Sequence, residues 1–408
     1  MTPAMPSHFR PSDAREAARL ATAAAAGLTD LVEALHGVIA AGPPPLARTP
    51  DGKTRGLTRV VYRNVRGVTR AVGSGVDALL ARLVPFLKAP DSTPERDAVL
   101  AALNGVLGDD LEAAGSPLAL PMEARLDGRP LALEPKALRL AVPGARGRLV
   151  LFVHGLCMNE MAWDRREGPS AAAFGSLASD LGATELRLRY DTGLHVSTNG
   201  RRLAGLLEAL VTAWPAPVEE LSIVAHSMGG LVARSAGHYG AAAGHSWPRR
   251  LGNLVFLGTP HHGAPLERIG NLAQLVLAAT PWSAPFARLG KIRSGGITDL
   301  RHGNLLDEDW EGRDRFAHRP DERAFVPLPV GVRAFALAAS AGPKPTARAE
   351  KLRGDGLVPV ESALGHHAEP ARSLPFPAGR TRVLFETGHL DLLSRPEVAA
   401  QVGAWLRR

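Results

Sequence analysis

The chain has 408 residues, of which 45% are hydrophobic and 22% are charged, enough for a large core in one big domain or two smaller ones. No apolar run approaches the about 20 residues that span a bilayer, which argues against a membrane span. The single cysteine, Cys157, excludes an internal disulfide. The first 19 residues lack the apolar stretch of a secretory signal, so we expect a cytoplasmic protein. The net charge of +8 permits an anionic partner without requiring one.

The chain changes character near residue 115. Before this point, the spacing of apolar residues predicts helices over about 13–40 and 55–87. A third helix begins at Thr93-Pro94, where threonine suits the N-cap and proline suits the first helical position. We therefore predict an N-terminal helical region over 1–115 and a second domain over 116–408.

Beyond this boundary, short strand-like segments alternate with amphipathic helices. A hairpin is predicted around Asp127-Gly128-Arg129. Further strands are predicted at 149–153, 185–190, 221–224, 254–257, 332–337 and 382–385. Helices are predicted at 171–181, at 199–214, from Gly229 onward and at the end of the chain. The alternation predicts an α/β fold with a mainly parallel sheet that helices cover on both faces.

The segment from Leu221 to Gly230 is strand-like, ends at a serine and leads into a helical stretch. This is the context of a nucleophile elbow, a tight strand-to-helix turn that presents one serine above a parallel sheet. Small residues at Ala225 and Gly229 fit such a turn because backbones approach closely there. The sequence therefore predicts Ser227 as a nucleophile.

A second serine has the same small neighbours. Ser340 lies within the pattern at 338–342 and also follows a strand-like run. Pro343 and Pro345 come next, and proline opposes an immediate helix. Since an elbow leads into a helix, Ser340 is the weaker alternative.

Acyl transfer needs two backbone N–H groups that point at the developing oxyanion. In this architecture one belongs to the residue after the nucleophile, Met228, and the other to the loop after the strand that ends at His154-Gly155. Leu156 is the candidate in that loop, and a plain strand end is the alternative interpretation. We interpret the neighbouring Cys157 as a small buried apolar residue.

An acid and a base come after the predicted nucleophile in the chain. Asp355 stands between two glycines after strand 332–337, where a sharp turn can present its carboxylate. His389 comes next in a Gly-His loop, so the order is Ser, Asp, His, as expected of α/β-hydrolases. An ordinary Asp-Gly turn is the alternative for Asp355. Asp391 is the rival acid, although its position suits a cap for the last helix.

Together these segments resemble the α/β-hydrolase superfamily and, within it, the bacterial lipase and esterase branch. The Ala-His-Ser-Met-Gly-Gly stretch around Ser227 is similar to the elbow of small bacterial lipases. The stretch 257–265 is similar to the Gly-Thr-Pro-His-x-Gly segment of triacylglycerol lipases and GPI inositol-deacylase-like serine esterases. The resemblance covers about 118–408.

The resemblance implies an α/β-hydrolase fold and a serine hydrolase that cleaves carboxylic esters, lipid or other acyl esters, without a cofactor. Two alternatives stay open. An acyltransferase or thioesterase would use the same triad with a different acceptor or substrate. A non-catalytic lipid-binding or membrane-binding homologue would keep only the fold.

The span 266–329 separates two predicted strands and is apolar enough to form a helical cap over the site. An insertion that only packs is the alternative. The pairs His261-His262 and His366-His367 look like metal ligands, but adjacent side chains point apart and no carboxylate or cysteine stands at ligand spacing. No metal site is predicted.

A basic stripe marks the N-terminal region. Five arginines fall on one side of the predicted helix, with valines and a leucine opposite: Arg55, Arg59, Arg63, Arg66 and Arg70. We interpret this pattern first as the solvated basic face of a helix bundle, and peripheral contact with an anionic membrane is the alternative. No nucleic-acid-binding motif accompanies the stripe, so no nucleic-acid partner is expected. The oligomeric state is left open.

Overall fold

The computed structural model describes Glu16, Arg19 and residues 93–164, 172–265, 294–314, 320–344 and 354–407. The chain divides into two compact units: 1–97 with 116–118, and 98–115 with 119–408. Within the described ranges, no helix is both long and apolar enough to cross a bilayer. Three predictions lie outside the described residues: the arginine stripe, the first two helices, and the apolar part of the cap at 266–293.

One eight-stranded sheet organises the larger unit. Its strands are β1 (Glu123–Leu126), β2 (Arg129–Pro130), β3 (Arg148–Val153), β4 (Thr184–Arg189), β5 (Glu220–His226), β6 (Leu251–Leu257), β7 (Arg333–Ala339) and β8 (Thr381–Leu384). The spatial order is β2-β1-β4-β3-β5-β6-β7-β8. β1 pairs antiparallel with β2 and β4, and all other pairs are parallel. The carboxyl ends of β3 to β8 therefore share one edge of the sheet.

Helices connect and cover these strands. They are α1 (Pro94–Ala113), α2 (Pro135–Ala141), α3 (Leu177–Asp180), α4 (Val196–Ala213), α5 (Met228–Ala242), α6 (Gly295–Asp299), α7 (Val360–Ala363) and α8 (Pro396–Leu406). α4 and α5 pack closely, since a Cβ added at Gly200 would lie only 2.1 Å from the hydroxyl of Ser235.

The core lies between the sheet and its helices. The central strands are nearly continuous apolar runs because parallel strands are buried on both faces. On one face, Phe152 packs against Trp163 at a ring-centroid distance of 4.8 Å, and Phe335 stacks on Trp405 of α8 at 5.0 Å. These large aromatic groups exclude water beneath the strand ends that carry the candidate site.

Most of the predicted elements are present, with two corrections. The hairpin is confirmed, and Thr93 caps α1 by accepting the N–H of Arg96 at 3.3 Å. The helix predicted at 171–181 is wrong in length: within the described residues only Leu177–Asp180 is α-helical. Its first part forms a turn in which Gly175 donates its N–H to Ala172. α2 was not predicted.

The mainly parallel sheet with helices on its faces and a strand-to-helix turn at its carboxyl edge is an α/β-hydrolase fold. The predicted fold class is confirmed. Most of α1, from residue 98, belongs to the compact unit that contains this sheet rather than to the first unit.

Candidate active site

Ser227 occupies the sharp turn between β5 and α5. Its backbone has φ +54° and ψ −127°, a conformation that non-glycine residues rarely adopt. Its N–H donates to the carbonyl of Leu257 at 2.8 Å, which ties the turn to the end of β6. A strained residue held in this way presents its side chain in a fixed direction at the sheet edge.

Two glycines after Ser227 allow the turn to form. A Cβ at Gly229 would lie 2.5 Å from the carbonyl oxygen of His154 and 2.7 Å from that of Val153. A Cβ at Gly230 would lie 2.0 Å from the hydroxyl oxygen of Thr259. The start of α5 therefore packs directly against the ends of β3 and β6, and only glycine permits this close approach.

The structure brings the three residues predicted as a triad into contact. Nε2 of His389 lies 2.8 Å from the hydroxyl oxygen of Ser227, and Nδ1 of His389 lies 2.7 Å from Oδ2 of Asp355. All three residues are buried, at 8%, 5% and 4% exposure for Ser227, His389 and Asp355. With Nδ1–H donated to the carboxylate, Nε2 is the nitrogen that accepts the proton of the serine hydroxyl.

The loop after β7 holds the carboxylate of Asp355 in place. Oδ1 accepts the N–H groups of Leu357 at 3.0 Å and Val358 at 2.8 Å, which leaves Oδ2 to the imidazole. The carbonyl of Asp355 also accepts the backbone N–H of His389 at 3.1 Å. The acid and the base are thus joined through both side chain and backbone.

Asp391, the rival acid, has a different role. Its carboxylate accepts the N–H of Gly388 at 2.7 Å and so fixes the turn that precedes His389. The expectation that it caps the last helix is wrong, because α8 begins at Pro396 and Asp391 belongs to a short 3₁₀ turn.

His226 is a site residue that the sequence interpretation missed. Its ring is buried, and Nε2 donates to the carbonyl of His389 at 3.1 Å. The residue before the nucleophile therefore holds the backbone of the proposed base. Its place within Ala-His-Ser was the only available signal, and nothing in one sequence shows that this ring reaches a loop 163 positions away.

The loop after β3 lies against the nucleophile. A Cβ at Gly155 would be 3.0 Å from Cβ of Ser227, so the Gly155–Leu156 peptide is adjacent to the serine. Met228 is the first residue of α5 and is fully buried. Of the two residues predicted to supply the oxyanion hole, Met228 therefore follows Ser227 directly in the chain, and Leu156 belongs to the loop that packs against Ser227.

The side chain of His154 stabilises this loop. Nδ1 lies 3.0 Å from the carbonyl oxygen of Gly155, and the ring stacks on Tyr190 at a centroid distance of 4.5 Å. The Tyr190 hydroxyl donates to the carbonyl of His154 at 2.8 Å. Complete burial lowers the pKa of His154 to about 4, so the ring is neutral and Nδ1–H is the donor.

Two groups near the site are poor nucleophiles. Burial raises the pKa of the Cys157 thiol to about 12, so its reactive thiolate is scarce at neutral pH. The hydroxyl of Ser340 accepts the N–H of Gly342 at 3.3 Å, and within the described ranges no hydrogen bond joins it to a histidine. Also within those ranges, no group of three or more His, Cys, Asp or Glu side chains is placed to hold a metal ion.

A buried acid lies beyond the Leu156 loop. Asp191 comes after β4, is 1% exposed and accepts the N–H of Gly193 at 2.8 Å through Oδ1. Its Oδ2 has no hydrogen-bond partner among the described residues. Burial, with smaller contributions from Glu112 and Asp109, raises the pKa of Asp191 to about 7.

Comparison with known proteins gives one family match and several structural overlaps. A family model described as a domain of unknown function, DUF7379, matches residues 130–300. No curated protein matches by sequence. The fold overlaps with the mature lipase of Bacillus licheniformis at 17% identity and a TM-score of 0.39, over 69% of this chain and 95% of that chain.

Two further solved structures overlap with parts of the chain. An esterase from Pyrococcus furiosus is 15% identical, with a TM-score of 0.39 over 65% of this chain and 82% of the esterase. A phospholipase from Legionella pneumophila is 17% identical, with a TM-score of 0.32 over 53% of this chain and 45% of the phospholipase. The strand order and the turn at Ser227, not these overlaps, define the fold class.

Proposed function

We propose that this chain is a serine hydrolase that cleaves carboxylic esters through an acyl-enzyme. The observation that carries the proposal is the continuous pair of hydrogen bonds from Ser227 through His389 to Asp355, at 2.8 Å and 2.7 Å. A serine hydroxyl is a weak nucleophile until a base removes its proton, and this arrangement supplies the base and the group that orients it. The reaction requires no cofactor.

In the acylation step, the hydroxyl oxygen of Ser227 attacks the ester carbonyl while Nε2 of His389 takes its proton. The carboxylate of Asp355 accepts Nδ1–H and stabilises the imidazolium that forms. The tetrahedral intermediate collapses when the C–O bond to the alcohol breaks and His389 returns the proton to the leaving oxygen. Water, deprotonated by His389, then attacks the acyl-enzyme and releases the acid.

The N–H groups of Leu156 and Met228 are proposed to stabilise the oxyanion. Each donor in such a site contributes about 3 kcal/mol of transition-state stabilisation. The positive end of the dipole of α5, which begins at Met228, adds to this effect. The imidazole of His154 and the hydroxyl of Tyr190 hold the loop that carries Leu156, so the donor is fixed before the substrate binds.

The substrates we propose are acyl esters, including lipid esters. The stretch 257–265, which is similar to segments of triacylglycerol lipases, supports this class. In the fold, Leu257 holds the turn at Ser227, and a Cβ at Gly258 would lie 3.2 Å from Cε1 of His389. The segment that carries the resemblance is therefore also the one that contacts the proposed nucleophile and base.

A fluorophosphonate probe tests the proposal directly, because it labels only a serine that a base activates. Wild type and the Ser340→Ala variant should be labelled, whereas Ser227→Ala should not be. Hydrolysis of p-nitrophenyl esters should also be lost in Ser227→Ala. In wild type, a series of increasing acyl length reports which acyl chain length is preferred. Labelling that persists in Ser227→Ala, with circular dichroism like that of wild type, would contradict the proposal.

A further inference from the structure

The turn that contains Leu156 has an unusual backbone conformation. Residues 155–158 form a β-turn in which the N–H of Met158 donates to the carbonyl of Gly155 at 3.3 Å. Cys157, the third residue of this turn, has φ +59°. This hydrogen bond and the positive φ at the third position define a type II turn, where glycine or asparagine is usual. A cysteine is strained there, so the turn depends on neighbouring groups that hold it in place.

Two of the three N–H groups that follow Gly155 in the turn have acceptors. The N–H of Cys157 donates to the hydroxyl oxygen of Thr192 at 3.1 Å, and that of Met158 donates within the turn. Among the residues that the structure describes, no group accepts the N–H of Leu156, although Leu156 is buried. Backbone N–H groups in buried segments are nearly always paired. The turn therefore reserves one N–H, and it is the one proposed to stabilise the oxyanion.

The peptide between Gly155 and Leu156 is anchored through its carbonyl oxygen. A trans peptide is planar, so its C=O and N–H groups point in opposite directions. The carbonyl of Gly155 accepts the N–H of Met158 and also Nδ1–H of His154 at 3.0 Å. These two bonds direct the N–H of Leu156 to the opposite side. A Cβ at Gly155 would lie 3.0 Å from Cβ of Ser227, so this anchored peptide borders the proposed nucleophile.

The next peptide, between Leu156 and Cys157, is anchored by Thr192. A type I turn would relieve the strain at Cys157, because its third residue has a negative φ. Conversion to type I turns this peptide over and would take the N–H of Cys157 away from the hydroxyl of Thr192. The hydroxyl therefore opposes that conversion. Leu156 joins two anchored peptides, so a change in the direction of its N–H requires the loss of at least one of these hydrogen bonds.

Thr192 is itself held firmly after the end of β4, where it is 1% exposed. The carbonyl of Asp191, on one side of it, accepts the side-chain amide of Asn199 in α4 at 2.8 Å. The carbonyl of Gly193, on the other side, accepts the N–H of Gly296 in α6 at 2.9 Å. Two helices thus fix the backbone around Thr192, and its hydroxyl is an acceptor in a fixed position.

Helix α1 packs on both partners of this hydrogen bond. A Cβ at Gly105 would lie 3.0 Å from Cα and 3.1 Å from the backbone nitrogen of Cys157. A Cβ at Gly193, next to Thr192, would lie 2.7 Å from the backbone nitrogen of Gly108 in α1. Glycine is present at each of these close contacts, so the helix can press the turn and the segment after β4 together.

We propose that Thr192 is a positioning residue for the proposed oxyanion hole, and that α1 keeps Thr192 and Cys157 in contact. This inference rests on the proposed function, in which Ser227 is the nucleophile and Leu156 donates to the oxyanion. A displacement of about 1 Å in such a group can cost about 100-fold in rate. Helix α1 precedes 118–408, the stretch that resembles lipases and esterases, so the N-terminal part of the chain contributes to catalysis.

Matched substrates separate an effect on the oxyanion from an effect on the fold. The pair is a p-nitrophenyl ester and its thionoester, in which sulfur replaces the carbonyl oxygen. Sulfur is a weak hydrogen-bond acceptor, so the thionoester gains less from N–H donors. The ratio of kcat for the ester over kcat for the thionoester therefore reports hydrogen bonding to the reacting carbonyl. A variant that is only less completely folded lowers both rates equally and leaves the ratio unchanged.

Thr192→Val removes the acceptor and keeps the shape of the side chain. Both kcat for the ester and the ratio should fall by about tenfold with little change in KM, a smaller effect than the loss of a whole donor. Thr192→Ser keeps the hydroxyl and should keep both values. Thr184→Val is the matched control, because the hydroxyl of Thr184 accepts the N–H of Arg146 at 3.3 Å at the opposite end of β4. It should leave the ratio unchanged.

Gly105→Ala tests the contribution of α1. The added methyl group meets the backbone of Cys157, so the ratio should fall as it does in Thr192→Val. Gly205→Ala, with nothing within 4 Å of its added Cβ, is the control helix substitution. If Thr192→Val does not fold by circular dichroism, Thr192→Cys takes its place, because a thiol is a weak acceptor, and the ratio should again fall.

Fluorophosphonate labelling of Ser227 tests the proposed function separately. When wild type is labelled, an unchanged ratio in Thr192→Val, or an equal loss of kcat on both substrates, would overturn the role of Thr192 and leave the hydrolase standing. An unchanged ratio in Gly105→Ala would overturn the role of α1. Absence of labelling in wild type would instead overturn the proposed function, and this inference with it.

Discussion

The turn after β5 and the turn after β7 contain the same pattern of small residues around a serine, but their backbones differ. Ser227 has a positive φ, leads at once into α5 and directs its hydroxyl to His389. Ser340 donates its N–H to the carbonyl of Leu384, which extends the β7–β8 pairing. Its hydroxyl accepts the N–H of Gly342. The segment on the carboxyl side of the serine, a helix in one turn and an extended chain in the other, decides whether the hydroxyl is presented to a base.

The largest effect is expected from variants that disrupt the hydrogen bonds from Ser227 through His389 to Asp355, which the turn at Ser340 lacks. His389→Ala and Asp355→Asn should each lower kcat by about 10³-fold or more, since the first removes the base and the second replaces the carboxylate that fixes the imidazole tautomer and stabilises the imidazolium with a neutral amide. Turnover of a p-nitrophenyl ester, with circular dichroism as the fold control, measures this. Asp391→Asn is the matched control, because its partner is the backbone of Gly388. A larger loss in that control would contradict the assignment of the acid.

A smaller effect is expected where the start of α5 approaches the end of β3 at Gly229, a contact that the turn at Ser340 does not make. Gly229→Ala should lower the free energy of unfolding by about 2 kcal/mol, because the new methyl group meets two backbone carbonyls that cannot move independently. It should also reduce kcat, since α5 carries Met228 beside Ser227.

Gly205→Ala is the control for that substitution. It lies in α4 with nothing within 4 Å of its added Cβ, and it should stabilise the protein by about 0.5–1 kcal/mol. Urea unfolding of both variants measures the difference. Equal stabilities would show that the turn is not held against β3 as tightly as the distances indicate.

The smallest effect isolates the backbone strain at Ser227. Ser227→Gly and Ser227→Ala both lack the hydroxyl, but glycine adopts φ +54° without steric cost. The glycine variant should therefore be more stable than the alanine variant by about 1 kcal/mol. At Ser340, φ is not positive, so glycine relieves no strain and only increases the conformational entropy of the unfolded chain. The alanine variant should therefore be the more stable one at that position. Thermal unfolding of the four variants provides the comparison.

The sequence predicted the parts of this molecule that depend on local order. The alternation of apolar segments predicted the parallel sheet, and the small residues around Ser227 predicted the turn. The chain order Ser227, Asp355, His389 predicted a contact that the structure places at the carboxyl edge of the sheet.

Other features leave no periodic signal, because they depend on a contact between distant segments or on a single local turn. His226 reaches the backbone of His389, and Asp391 serves Gly388 rather than α8. The shortened helix at Leu177–Asp180 reflects a turn at Gly175 that outweighs the apolar spacing of the whole segment.

The buried carboxyl group of Asp191 links the stability of the fold to proton concentration. Its pKa is about 7 in the folded chain and 3.8 in its ordinary state, so the folded chain holds more protons between these values. Unfolding then releases a proton, and the stabilisation that is complete below about pH 4 is lost as the pH rises through 7. The loss amounts to at most about 4 kcal/mol, and urea midpoints at acid and alkaline pH, with and without Asp191→Asn, measure it. A general base must be unprotonated to act, which higher pH favours. As the pH rises through neutrality, the proposed catalysis is therefore favoured while the free energy of unfolding decreases.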